Sequence, residues 1–213
     1  MKVLVIGANG KVARDAVVYL QEEGHEPLAM IRNTDQIPYF EEHGIKTVIA
    51  DLEKDFSHAY QGVDAVIFAA GSGPNTGLDK TITVDQEGAI RAVEYAKQYG
   101  VKHFVMLSAM RAEDPLAGPE KLQPYLYAKR RADEYLKATD IAYTIVRPGP
   151  LTNDAGTGQV QIEKQIETPD HNSIPREDVA KALAKTVGQE NVYGVSYDLL
   201  SGSVKIEDAL SKL

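Results

Sequence analysis

The chain has 213 residues, 43% of them hydrophobic, with a formal net charge of −8 and no cysteine. It is long enough for one α/β domain with a sizeable core and too apolar for a disordered chain. The acidic balance argues against nucleic acid or an anionic membrane as a partner, and the lack of cysteine excludes disulfides and thiolate chemistry. No apolar run reaches the ~18 residues of a membrane span, so we expect a cytoplasmic protein. We also expect a monomer or homodimer whose partner is a small molecule.

The first predicted elements are a buried strand and a helix joined by a glycine turn. Residues 2–6 are mostly apolar, Gly7-Ala-Asn9-Gly10 forms the turn, and the predicted helix runs over 11–23, beginning with Lys11 and Val12. Glycines let a backbone approach a pyrophosphate, and a helix N-terminus offers free N–H groups and partial positive charge. The spacing G-x-x-G-x-x-A therefore favours dinucleotide binding. The alternative is a structural turn without a ligand.

Strands and helices then alternate along the chain. The predicted strands are 26–31, 46–50, 64–70, 103–107 and 142–146, and the predicted helices are 34–43, 57–60, 79–99 and 123–138. The strands are continuously apolar, which indicates parallel strands buried on both faces. We therefore expect a doubly wound parallel sheet flanked by helices, with ligands at the carboxyl ends of its strands. In the predicted helix 79–99, the apolar residues Ile82, Ala89, Val93 and Ala96 lie near helical spacing.

The pattern changes after Pro148. Residues 151–168 are polar with a strand predicted at 159–163, followed by a helix over 175–187, a strand over 195–200 and a helix over 206–213. No linker divides the sequence. We interpret residues 1–213 as one domain in which 151–213 form a small substrate-side elaboration rather than an independent unit.

Two positions at strand ends bear on the choice of cofactor. Arg32 follows the second strand, where a dinucleotide fold meets the adenosine ribose, and no acid occurs before Asp35. A guanidinium pairs with phosphate through charge-assisted bonds, so the sequence favours NADP over NAD, unless Arg32 is a solvated strand-end charge. Asp51 and Leu52 end the third strand. The Asp51 carboxylate suits either the adenine amine or the cap of the following turn.

Three further residues suggest proton transfer. Tyr125 and Lys129 lie four residues apart in a predicted helix and so share one face. An ammonium near a phenol stabilises the phenolate and lowers its pKa from ~10, which makes Tyr125 a candidate proton donor. Lys129 also suits the nicotinamide ribose, and Ser108, at the end of the fifth strand, suits a substrate carbonyl. The alternative is a surface helix that happens to carry a tyrosine; Tyr127 is expected to point elsewhere.

In chain order, these motifs resemble the atypical branch of the short-chain dehydrogenase/reductase superfamily, which includes NAD-dependent epimerase/dehydratase-like and NmrA-like proteins. The matching segments are G-A-N-G-K-V-A, Arg32, Asp51-Leu52, Ala69-Ala70-Gly71, Leu107-Ser108-Ala109, Tyr125-x-x-x-Lys129, Arg147-Pro148-Gly149-Pro150 and residues 173–180. The resemblance implies a Rossmann fold that binds a dinucleotide along Ala69, Ala70 and Gly71. It also implies that the nicotinamide lies against strands four to six, with Pro148 beside its carboxamide.

The chain departs from the superfamily in its short region after strand six, which leaves little for a nucleotide-sugar pocket, and at two positions. Asp85 stands where the active site usually has Asn, which alters the proton relay if the side chain takes part, and Ala13 replaces the third glycine of the loop. The five histidines are scattered and form no metal-ligand spacing. Two functions stay open. One is an NADP-dependent oxidoreductase or isomerase that uses Ser108, Tyr125, Lys129 and Asp85; the other is a non-catalytic NADP(H) sensor.

Overall fold

The computed structural model describes residues 1–73 and 76–213. The strands are β1 (Lys2–Ile6), β2 (Glu26–Ile31), β3 (Lys46–Ile49), β4 (Ala65–Phe68), β5 (His103–Leu107), β6 (Tyr143–Pro148), β7 (Leu151–Thr152), β8 (Gln159–Glu163), β9 (Ile174–Pro175), β10 (Val195–Ser201) and β11 (Val204–Lys205). The α-helices are α1 (Lys11–Glu22), α2 (Ile37–Glu42), α3 (Leu78–Lys80), α4 (Glu87–Gln98), α5 (Gln123–Lys137), α6 (Arg176–Thr186) and α7 (Ile206–Leu210). Short 3-10 turns cover Thr34–Gln36, Ser57–Tyr60, Pro115–Ala117, Glu120–Leu122 and Glu190–Val192.

One sheet contains nine of the strands, in the order β11-β8-β10-β6-β5-β4-β1-β2-β3. The seven from β10 to β3 are parallel, whereas β8 is antiparallel to both β10 and β11. The predicted doubly wound parallel sheet is therefore confirmed, with an antiparallel edge added by the C-terminal segment. The strand order reverses between β1 and β4, and a crevice at such a reversal is where open α/β sheets bind ligands.

The core consists of one apolar layer on each face of the sheet. On one face α1 and α6 pack on the sheet through buried residues such as Val17 and Leu183. On the other face α4 and α5 do so through residues such as Val93 and Leu136. These two layers explain why the strands are continuously apolar. Within the described ranges, no helix has the length and apolar character that crossing a bilayer requires.

The helix predicted over 79–99 has an unexpected hydrogen-bonding pattern. Its middle, Thr81–Gln86, is π-helical and joins α3 to α4. Ala89, Val93 and Ala96 are fully buried, whereas Ile82 is 53% exposed. The i→i+5 bonds of a π-turn add a residue to that turn, and this shifts the apolar periodicity upstream of α4. π-Turns within α-helices occur frequently at functional sites.

Residues 151–213 join the same sheet through β8, β10 and β11, and β7 pairs with β9 beside it. The loop before β8 is held by the start of α6. The buried Asp178 carboxylate accepts hydrogen bonds from the backbone N–H groups of Thr157 (2.9 Å) and Gly158 (2.8 Å). The division into a single domain with an elaboration stays a prediction.

A buried histidine makes stability sensitive to acid. The His103 ring accepts a hydrogen bond from the Gly188 N–H at Nδ1 (3.1 Å), and its Nε2 lies 3.0 Å from the Thr144 hydroxyl oxygen. Burial lowers the pKa of His103 from 6.5 to about 4, so the folded protein keeps it neutral while the unfolded chain becomes protonated below 6.5. The stability it contributes is present above pH 6.5 and is lost as pH falls towards 4.

We therefore expect His103→Gln to lose less stability on acidification than the wild type. Since one pKa unit corresponds to ~1.4 kcal/mol, the difference is at most about 3 kcal/mol between pH 7 and pH 4. Urea unfolding at both pH values measures it. Equal losses in the two proteins would mean that His103 titrates normally.

Candidate functional site

The glycine turn after β1 leaves the start of α1 open to a ligand. Gly7 has φ +78°, and a Cβ there would lie 2.5 Å from the Ala70 Cα, so only glycine fits. Gly10 is the N-cap of α1 and makes no side-chain cap, and the first helical turn contains no acid. The backbone N–H groups in the first turn of α1, together with the helix dipole, are therefore available to an anion.

A cavity of about 430 Å³ lies along the carboxyl ends of β1 to β4. Nine of the predicted cofactor residues line it: Gly7, Asn9, Gly10, Arg32, Asp51, Leu52, Ala69, Ala70 and Gly71. Lys11 is exposed at the start of α1, Val12 packs into the core, and Pro148 is buried at the end of β6, outside this cavity. The sequence did not identify Gln36, Ser72, Thr76, Lys80 and Val84, which also line it. A pyrophosphate-containing dinucleotide fits this set, because the narrow glycine turn and uncapped helix face the cavity.

The side chain of Asn9 is already engaged within the turn. Its Oδ1 accepts hydrogen bonds from Arg14 Nε (3.1 Å) and Nη2 (2.5 Å). The guanidinium of Arg14 also lies over the Tyr39 ring, 4.5 Å from its centroid. Asn9 therefore links the turn to α1 through its side-chain oxygen. Its predicted contact with a cofactor would have to come from its backbone or its amide nitrogen.

The part of the cavity next to β2 and β3 contains several charges. The backbone N–H of Arg32 donates to Gln36 Oε1 (3.1 Å), which fixes the loop while the Arg32 side chain lines the cavity. Asp51 Oδ1 accepts from the Glu53 N–H (3.0 Å), so Asp51 caps its turn and borders the cavity as well. Glu53 in turn pairs with Lys80 at 2.7 Å, and this pair joins the loop after β3 to α3.

Asp85 lies on the π-helical turn, directly after Val84, which lines the cavity. Its side chain is 1% exposed, and its Oδ2 accepts a hydrogen bond from the Ser72 N–H (3.2 Å). Its Oδ1 has no hydrogen-bond partner among the described residues and lies beside Gly71, 3.3 Å from where a Cβ would be. The carboxylate thus holds the loop after β4 directly, a role that the sequence did not predict.

Tyr125 and Lys129 share one face of α5, as predicted, and Tyr127 is 43% exposed on another. Lys129 Nζ lies 5.7 Å from the centroid of the Tyr125 ring and donates to the Leu107 carbonyl oxygen (3.0 Å), directly before Ser108. The structure therefore brings Ser108, Tyr125 and Lys129 to the carboxyl end of β5. None of the three is among the residues that line the cavity, which lies at the neighbouring strand ends from β1 to β4.

The pKa of Tyr125 is raised, contrary to the expected lowering. Burial is the largest cause; the Lys129 ammonium opposes it, while the Asp85 and Asp133 carboxylates add to it. Lys129 thus acts in the predicted direction but does not dominate. The loss of hydration destabilises the Tyr125 phenolate more than the nearby ammonium stabilises it.

The Ser108 hydroxyl already has a hydrogen-bond partner within the protein. It donates to Asp133 Oδ2 at 2.5 Å, and both residues are 3% exposed. Burial raises the pKa of Asp133 from 3.8 to about 6, although Ser108 and nearby cations oppose the shift. The sequence did not identify Asp133 as a site residue. Its signal is the continued four-residue spacing Tyr125, Lys129, Asp133 along one helical face.

A buried ion network lies behind this group. Arg147 of β6 is 4% exposed, and its Nε lies 2.8 Å from Asp198 Oδ1 of β10. Its Nη1 lies 2.5 Å from Glu113 Oε1, and Glu113 also contacts Lys137 of α5 at 3.0 Å. The network ties the loop after β5 to two strands and to α5. In the described part of the chain, no group of three His, Cys, Asp or Glu side chains is placed to hold a metal.

Comparisons with known proteins agree with this geometry. Residues 7–190 match the family described as NAD(P)H-binding. The chain is 41% identical over 217 residues, with all of both chains covered, to a Bacillus subtilis protein named as the uncharacterized sugar epimerase YhfK. It is similar to the structure of a Bacillus halodurans protein named as an NAD-dependent epimerase/dehydratase, with 47% identity, TM-score 0.97 and both chains fully covered. The oxidoreductase ylbE of Lactococcus lactis is 28% identical with TM-score 0.88, over 100% of this chain and 96% of its own.

Proposed function

The chain belongs to the NAD(P)H-binding family, with a Rossmann-type fold, and from this premise we propose that it is an NADP(H)-dependent oxidoreductase or isomerase acting on a small carbonyl or hydroxyl compound. The observation that carries the proposal is the grouping of Ser108, Tyr125 and Lys129 at the carboxyl end of β5, which neighbours β4 on the sheet edge where the cavity lies. Epimerase and oxidoreductase are also the activities in the names of the relatives.

A nicotinamide cofactor supplies or accepts a hydride when it is bound, and the chain has to move the accompanying proton. Tyr125 suits this step because burial keeps its phenol protonated and ready to donate. Lys129, whose ammonium is 5.7 Å from the ring centroid, limits the cost of the phenolate that remains. Ser108 orients the substrate oxygen beside it.

The first test is turnover on a panel of aldehydes, ketones, quinones and sugars with NADPH or NADP. Oxidoreduction changes the NADPH absorbance, and epimerisation changes the sugar product without net cofactor consumption. Saturable turnover of any one compound, lost when the cofactor is omitted, supports the proposal. If no member of the panel reacts although NADPH binds, the chain is not an enzyme of this type on those substrate classes.

The choice of NADP over NAD rests on Arg32. Its side chain lines the adenosine end of the cavity, where a carboxylate would instead accept from the ribose 2′-OH of NAD. A contact between guanidinium and the 2′-phosphate is charge-assisted and contributes roughly 1.5–3 kcal/mol net. At ~1.4 kcal/mol per tenfold change, this is about ten- to a hundredfold in affinity.

We therefore expect Arg32→Ala to weaken NADP binding by about ten- to a hundredfold, to leave NAD binding within about twofold and to flatten the salt dependence of NADP binding. Arg32→Asp should go further and favour NAD. Titrations of both cofactors against the wild type and the two variants measure this. Equal losses for the two cofactors would assign Arg32 to the loop rather than the phosphate, and no loss would remove the preference for NADP.

A second candidate is a non-catalytic NADP(H) sensor. The observation that favours it is that no hydrogen bond joins Ser108, Tyr125 and Lys129 to one another in the described structure, since Ser108 donates to Asp133 and Lys129 to Leu107. A sensor would bind NADP and NADPH with different affinities, would change its conformation between them and would turn over no substrate. Calorimetry with both forms, run beside the substrate panel, separates the two candidates.

A further inference from the structure

The shared side of α5 carries a third functional group after Tyr125 and Lys129. Asp133 continues their four-residue spacing, is almost fully buried and accepts the Ser108 hydroxyl at 2.5 Å. Its second oxygen, Oδ1, has no hydrogen-bond partner among the described residues. A buried carboxyl with one oxygen unsatisfied is expensive to keep ionised, and nothing in the proposed proton transfer uses it.

A hydroxyl has one proton to donate, so its partner determines what else it can do. When Asp133 is ionised, Ser108 donates to it, and the Ser108 oxygen can only accept from other groups. When Asp133 is protonated, it can donate to Ser108, and the Ser108 proton becomes free for a substrate oxygen. We propose that Asp133 is a positioning residue whose protonation state sets whether Ser108 donates or accepts a hydrogen bond in the site.

The surroundings of Asp133 allow both states near neutral pH. Burial is the largest effect on its pKa and raises it to about 6. Four groups lower the pKa and so oppose the effect of burial. They are the Ser108 hydroxyl at the end of β5, the ammonium groups of Lys129 and Lys137 on the same helix, and the guanidinium of Arg147 on β6. The Asp133 carboxylate in turn raises the pKa of the Tyr125 phenol.

The consequence for catalysis rests on the proposed function. A carbonyl substrate needs a donor, so its reduction is favoured by protonated Asp133 and should decline as pH rises through about 6. A hydroxyl substrate needs an acceptor, so its oxidation is favoured above about 6. The pair would therefore match the direction of the reaction to pH.

The decisive test needs no substrate. The side-chain carboxyl carbon of Asp133 is followed by ¹³C NMR against pH in the wild type, in Ser108→Ala and in Glu134→Gln. We expect a midpoint near 6 in the wild type, and a rise of about one unit or more in Ser108→Ala, because a hydrogen bond to the charged form is lost. Glu134, exposed on the same helix and paired with Arg130, serves as the control and should leave the midpoint unchanged. A wild-type midpoint near 4, or one that Ser108→Ala does not move, overturns the inference.

A kinetic test on any carbonyl that the panel identifies adds a readout of function. Asp133→Asn has an amide that can donate to Ser108 at every pH, so reduction should lose its decline above pH 6 and keep the low-pH rate. A purely structural role would lower the rate of Asp133→Asn without changing the shape of the profile, and that result also overturns the inference. If the wild type turns over no compound of the panel, the proposed function fails, while the NMR titration still decides the link between Asp133 and Ser108.

Discussion

Tyr125→Phe is expected to lower turnover by ~10²–10⁴-fold while NADPH affinity stays nearly unchanged. The variant removes only the phenolic oxygen, so the packing of the half-buried ring and its distance from Lys129 are retained. Because the loss lies in proton transfer, it should appear in kcat rather than in the binding of the cofactor. Steady-state kinetics on the best compound of the panel, together with calorimetry of NADPH binding, measure both quantities.

Tyr127→Phe is the matched control, since Tyr127 lies two residues away on the same helix and is 43% exposed. It should change neither quantity. Lys129→Met should impair both turnover and binding, because Lys129 is assigned to the phenol and to the ribose. Full activity of Tyr125→Phe on an identified substrate would exclude Tyr125 as the proton donor and would strengthen the sensor alternative.

Gly10→Asp is expected to abolish measurable NADP binding without unfolding the protein. Gly10 has φ −68° and ψ 151°, which any residue adopts, and Asp is a favoured N-cap that bonds the free N–H groups of a first helical turn. The carboxylate would thus occupy the donors that the pyrophosphate needs and would repel it. Calorimetry with NADP, and thermal unfolding to verify the fold, measure the outcome.

Gly10→Ala separates size from charge. Its Cβ would lie 3.2 Å from the Gly7 carbonyl oxygen, a tight contact that needs a small shift of the turn, and it adds no charge, so we expect a smaller loss of affinity than with Asp. Gly7→Ala is unsuitable as a control because it would strain a left-handed turn and collide with Ala70. Unchanged affinity in a folded Gly10→Asp protein would place the phosphate site elsewhere.

Local sequence patterns predicted the fold and nine of the residues that line the cavity. The turn at Gly7 and Gly10 is identifiable because strand, glycine and helix follow one another within a few residues, and Arg32 lies at a strand end whose position the sheet dictates. Residues Ala69 to Gly71 line the cavity for the same reason. Contacts fixed by one parallel sheet edge are thus accessible from sequence alone.

The group around Ser108 was less predictable, because its contacts depend on which side chains meet across elements. Asp133 lies in a charged run, Lys129-Arg-Arg-Ala-Asp-Glu134, that is typical of a solvated helix face, yet the packing of α5 on β5 buries it against Ser108. The raised pKa of Tyr125 likewise depends on burial that no spacing reveals. The antiparallel course of β8 was not predicted either, since its five residues carry no directional signal.

The π-helical turn at Thr81–Gln86 has a consequence for how this site tolerates changes in chain length. Removing one residue from that turn would let it close as ordinary α-helix, and each residue of an α-helix turns the chain by about 100°. Residues upstream of the deletion would rotate by that amount relative to α4, which would separate Lys80 from Glu53 and disturb the loop that Asp85 holds through Ser72. The positions of Asp85 and Lys80 therefore depend on the number of residues between them as much as on their chemistry. A single-codon deletion in this turn would reshape the cavity at Lys80 and at Ser72 at once.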